Sequence, residues 1–210
     1  MRIVYLFTAI LITLPAFAQK YEFGVQGGVS FYDKKTVTNA RGSADAGFKL
    51  GYAAGFTIGH NMYQHIGGEI RYTFLQNEMR LNSGSTEATF GSQAHAIHYD
   101  FLIHARGLDS PVRPYVAFGG GIKYYRGTGA EQAFQPLSNI AILTKTSDTK
   151  GLASVGGGVK LKMTDKIWLR LDVHDYLTPF PKNIIAPNSG SSVGGWMNNI
   201  VGTGGITFTF

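Results

Sequence analysis

His98 and Asp100 stand two apart in this 210-residue chain, with His104 four further on, and Asp172 and His174 repeat the first spacing. A carboxylate two residues from an imidazole on one face of a strand orients that imidazole, as a general base behind a hydroxyl nucleophile requires. A polar interior makes the same contacts without chemistry, so no catalytic residue is assigned and the chain reads as a non-enzyme. His60 and His65 sit on a short turn, and His95 and His98 flank a loop end. No Cys joins them, and the spacing matches no structural zinc pattern, so neither metal nor cofactor is expected. Gly119-Gly120-Gly121 and Gly156-Gly157-Gly158 lack the following helix of a phosphate loop, and read as packing inside strands.

The elements that position these residues repeat every two residues. Tyr21, Phe23, Val25, Val29 and Phe31 alternate with Glu22, Gln26 and Ser30, and Phe48, Leu50, Tyr52, Ala54, Phe56 and Ile58 with Lys49, Gly51, Ala53, Gly55, Thr57 and Gly59. The same holds for Ile66, Ile70, Tyr72 and Phe74 against Glu69 and Arg71, and for Ile97, Tyr99, Phe101 and Ile103 against His98, Asp100 and His104. Four more segments run over 115–125, 154–163, 167–174 and 200–210. Strict alternation describes β-strands with two unlike faces. Eight strands are an even number and the smallest of a closed membrane barrel.

Composition narrows the class. Charged residues make up 15%, Gly number 28, Cys are absent, and 44% of residues are apolar; mean hydropathy is −0.02. Disulfide scaffolds and disordered chains are excluded by these values. No run of about 20 apolar residues follows the N-terminus, so helical spans are excluded as well. Met1 and Arg2, the apolar run 3–14 and Ala16-Phe17-Ala18 form a signal peptide over 1–18, leaving a single domain over 19–210. Its removal lowers the net charge of +6 by the one charge of Arg2. An exported chain without a Lys/Arg cluster is a poor nucleic-acid binder despite a pI near 9.5.

Charge placement separates a membrane barrel from a soluble one. Across all eight segments one face holds no Lys, Arg, Asp or Glu, while the other holds Glu22, Lys49, Glu69, Arg71, Asp100, Lys123, Lys160, Lys162, Arg170 and Asp172. Gly24, Gly28, Gly51, Gly55, Gly119, Gly121, Gly156 and Gly158 share the charged face, as suits a lumen that barely fits side chains. The bulky apolar face then meets lipid. Tyr21, Phe23, Phe56, Phe101, Phe208 and Phe210 form a low belt, and Phe31, Phe48, Tyr72, Phe74 and Tyr124 a high one. Short connections near 60–65, 106–113 and 164–166 alternate with long ones near 33–47, 77–94, 127–150 and 177–198.

A cleaved signal, eight strands, the run Pro114-Tyr115-Val116-Ala117-Phe118-Gly119-Gly120-Gly121 and the run Trp168-Leu169-Arg170-Leu171-Asp172-Val173-His174-Asp175-Tyr176 resemble the outer-membrane β-barrel domain family, which includes the membrane domain of outer membrane protein A. Ile206, Phe208 and Phe210 resemble the C-terminal signal read by the barrel-assembly machinery. The resemblance implies an all-β, eight-stranded antiparallel up-and-down transmembrane barrel in the cell outer membrane, with outer-membrane lipid and that machinery as partners. No peptidoglycan-binding domain is expected after Phe210, so tethering is not. Some such barrels modify lipid A, but no His here is followed by x-Ser, the spacing sought for the deacylase type.

The function expected is structural or at the envelope surface. Glu69, Arg71, Asp100, Arg170 and Asp172 form a lumenal charge network at mid-height that plugs the barrel, and pairing Ile66 with Ala105 places Arg71 against Asp100. The alternative is a surface binder of an unknown extracellular ligand. It would act through loops 130–142 and 176–188, where Phe134, Ile140, Ile142, Leu143, Phe180, Ile184 and Ile185 are more apolar than loops require. A small pore and a lipid-modifying enzyme rank below both.

Overall fold

The computed structural model describes residues 21–210; the signal peptide read over 1–18 lies outside the described residues. Eight long strands carry the wall: β1 (Tyr21–Tyr32), β4 (Gly51–Asn61), β5 (Ile66–Ser83), β6 (Thr86–His104), β7 (Val112–Gly127), β9 (Ser147–Lys162), β10 (Ile167–Pro179) and β13 (Asn199–Thr209). Each pairs antiparallel with the next, and β1 pairs with β13 from Glu22↔Thr209 to Tyr32↔Asn199, closing the ring. Closure leaves no unpaired edge in the wall, the condition for a sheet to cross lipid.

The alternation in the sequence becomes inside and outside. Val116, Phe118 and Ile122 on β7 are exposed, while Tyr115, Ala117 and Lys123 between them are buried; Leu171 and Val173 on β10 flank buried Asp172. Inside, the backbone itself is crowded. A Cβ on Gly119 would stand 1.9 Å from the Tyr99 carbonyl oxygen, and one on Gly121 would stand 2.1 Å from that of Ile97. Glycine lets β6 and β7 approach this closely on the concave side of the wall.

Above the membrane band the long connections are built structure. β5 and β6 run for 18 and 19 residues, beyond the roughly 9–11 that a tilted crossing needs. They meet at a two-residue turn in which Gly84 has φ +60°, the left-handed first position of a tight hairpin turn. The stretch 77–94, read as a loop, is therefore strand. β2 (Lys35–Asn39) and β3 (Gly42–Phe48) form a hairpin whose second strand adds to β5 through Asp45↔Asn82 to Phe48↔Met79. β8 (Ala141–Leu143) pairs with β11 (Ile185–Pro187), and β12 (Trp196–Met197) with the top of β10. Together they enclose an apolar core of Val37, Ala46, Leu75, Met79, Leu81, Phe90, Ile140, Leu143, Phe180, Ile184 and Ile185.

Two belt assignments change. Phe48 is buried against Tyr32 and Tyr125, at ring distances of 4.4 and 5.9 Å, because the strand is interrupted at Lys49–Leu50 and Phe48 belongs to the cap hairpin. Phe56 and Tyr72, read as low and high, face each other across β4 and β5 with centroids 5.2 Å apart.

Candidate functional site

The charged groups of the lumen are stacked on three levels. At mid-height Glu69 and Arg71 on β5 meet Arg170 and Asp172 on β10, from opposite sides of the ring. They alternate in sign around a closed circuit: Arg71–Glu69 2.8 Å, Arg71–Asp172 3.1 Å, Arg170–Asp172 2.6 Å and Arg170–Glu69 2.6 Å. None of the four side chains is more than 3% exposed. Tyr115 Oη donates to Asp172 at 2.9 Å and accepts from Arg170 Nε at 2.8 Å, Thr203 donates to Asp172 at 2.6 Å, and Arg71 donates to Gln26 at 3.2 Å. A buried ion is tolerable only when paired and hydrogen-bonded on its remaining sites, as this circuit provides. Two opposite walls are thereby tied through the lumen's centre.

Asp100 is separate from that circuit. Its carboxylate is 3.0 Å from His98 Nδ1 and 3.6 Å from His174 Nδ1, with the Ser154 hydroxyl donating at 3.4 Å. The expected Arg71–Asp100 contact is not made. The turn at Gly84 sets Ile66 opposite Ile103 and Arg71 opposite His98, a two-residue shift from the Ile66–Ala105 register. Ser154 Oγ also lies 3.2 Å from His174 Nδ1, while His174 Nε2 is 3.9 Å from Asp172. Hydroxyl and carboxylate thus crowd the same imidazole nitrogen, and Nε2 has no hydrogen-bond partner, so the triad relay, with the hydroxyl on one ring nitrogen and the carboxylate on the other, is not formed. Ser154, His98, Asp100 and His174 are all buried.

The other two levels escaped the sequence assignment. Below, Lys160 and Glu22 form an ion pair, and Asn61 donates to Glu22 at 2.9 Å. Arg113 is buried beside them, its guanidinium carbon 5.9 Å from the Trp168 ring centroid. Above, the Lys123 ammonium donates to Asn199 and stands 4.6, 5.1 and 5.6 Å from the ring centroids of Tyr32, Tyr125 and Tyr176. An ammonium ringed by aromatic faces is held by their quadrupoles. The parity of β1, β7 and β9 already put Glu22, Lys123 and Lys160 inside. Arg113 was read as turn, though it shares the parity of Tyr115.

The proposed loop contacts divide. Ile140, Phe180 and Ile184 are at most 4% exposed and pack in the cap core, so they present nothing to a ligand; their apolarity serves that core. Phe134 alone is exposed, at 77%. Ile206, Phe208 and Phe210 lie together on the outer face of the last strand and its end. Among the described residues no group of three or more His, Asp or Glu could hold a metal ion.

A closed eight-stranded ring, a lipid-type exterior and a charged interior define an integral outer-membrane barrel. The chain belongs to the outer membrane protein beta-barrel domain family, which matches residues 5–194. It is similar in fold to the outer membrane protein OprG from Pseudomonas aeruginosa, at 11% identity and a TM-score of 0.55 over 92% of this chain and 97% of that one. Neisserial surface protein A (NspA) is similar at 15% identity and a TM-score of 0.51, over 90% and 97%. A search of curated proteins finds no match. The protein is a transmembrane β-barrel of the cell outer membrane.

Proposed function

We propose that this protein is a closed, non-enzymatic barrel that stabilises the outer membrane and displays a rigid cap at its surface. The observation that carries this reading is the four-membered ion circuit of Glu69, Arg71, Asp172 and Arg170 spanning the lumen between opposite strands. An eight-stranded interior is only wide enough for side chains, and here those side chains are bound to one another. Outer-membrane lipid surrounds the aliphatic face, and the barrel-assembly machinery reads Ile206, Phe208 and Phe210 during insertion.

The test is complementation. Cells lacking the protein should become sensitive to detergent, and a barrel whose connections 128–146 and 180–195 are replaced by short turns should restore resistance. A surface binder acting through its cap would fail to complement after that replacement, and this outcome contradicts the structural role.

A further inference from the structure

The lowest level of the lumen holds more cationic donors than acceptors. Arg113 and Lys160 are register partners on β7 and β9, 1% and 2% exposed. The carboxylate of this level is Glu22, already taken by Lys160 and Asn61. Arg113 reaches it only at 3.8 Å, and its Nε and Nη2 are buried without a hydrogen-bond partner. So are Trp168 Nε1, both ring nitrogens of His104 and the Thr207 hydroxyl. Trp168 lies against the Arg113 guanidinium and is paired with Thr207 across β10 and β13; His104 is paired with Tyr115, two residues along from Arg113. The mid-height circuit has two cations and two anions, so it adds no net charge to this level.

Buried guanidinium N–H groups without acceptors are costly, and an uncompensated buried charge more so. A water would satisfy the donors and leave the charge. We infer that the floor of the lumen binds a single monoatomic anion of chloride's size, held by Arg113 Nε and Nη2 and by Trp168 Nε1. The site stands on donors and charge, not on closure of the lumen, so a conducting barrel would refute the plug without touching this assignment.

Trp168 is one of two tryptophans in the chain, so Trp196→Phe makes it the sole reporter. The folded, leader-free protein in detergent is titrated with iodide at constant ionic strength, balanced with gluconate. Trp168 emission should be quenched along a saturating curve, chloride should displace the iodide, and Arg113→Gln should raise the half-saturating concentration at least tenfold. Quenching that is absent, or linear and indifferent to chloride, overturns the site. A second measurement covers an Arg113→Gln variant that does not fold. The unfolding temperature of the unaltered protein should rise with the logarithm of chloride concentration and stay flat in gluconate. An equal response to chloride, phosphate and gluconate would mark general screening and overturn the proposal.

Discussion

Arg71 joins the two carboxylates of the mid-height circuit, since it touches Glu69, Asp172 and Gln26 at once. Replacing it with Met leaves two buried carboxylates sharing Arg170 alone. Breaking a buried ion pair from one side costs about 3–5 kcal/mol, and denaturant unfolding of Arg71→Met should show a loss of that size. A loss below about 1 kcal/mol would equate the circuit with a surface pair. On the other face, Leu171→Arg, beside mid-height Asp172, should cost roughly 2–4 kcal/mol near the bilayer midplane. Phe134→Arg, on an exposed cap loop, should be nearly neutral; equal tolerance at both positions would contradict the membrane-facing assignment. Which wall residues face the lumen was legible from parity, because period two admits two phases and charge selects one; Lys49, read with them, instead lies 38% exposed on the cap surface, because the strand ends at Phe48. Which of them touch was not, since contacts depend on strand register, and two residues of slip replace Asp100 by His98 opposite Arg71.

The hairpin of β5 and β6 shows how that slip arises. Its register is set by Gly84 and Ser85 at the tip, inside a stretch rich in Asn, Ser, Thr and Glu that reads as loop. The strand there continues because its inward residues, Leu75, Met79, Leu81, Ala88 and Phe90, have an apolar cap to bury against, and that cap comes from distant segments. Its surface is pinned by charge: Lys49 is 3.1 Å and Arg80 2.7 Å from Glu87. The Lys49 hydrogen bond, with Arg80 adding to it, holds the Glu87 carboxyl below the usual carboxylate range. A lowered carboxyl contributes stability in full above its unfolded value near 4.3 and loses it as pH falls through the lowered value. Amide protection factors over 78–90 should therefore fall in acid below about pH 4. In Glu87→Gln they should be lower at neutral pH and lose that dependence; an identical acid response in the variant would assign the effect elsewhere.

At the scale of the whole molecule the barrel is, in the proposed reading, closed twice, by the ion circuit at mid-height and by the apolar cap core above it. The eight-strand ring, its polarity and its outer-membrane location were legible in the chain, because alternation and a charge-free face leave few architectures. The second closure was not, because Ile140, Phe180 and Ile184 come from connections whose folding depends on one another. Single-channel recording of the purified protein in planar bilayers tests closure most directly. The unaltered barrel should show no large, steady conductance, and conductance should appear when Arg71→Met is combined with replacement of 128–146 and 180–195 by short turns. Large, stable currents from the unaltered protein would contradict the account and make Glu69, Arg71, Arg170 and Asp172 the lining of a pore.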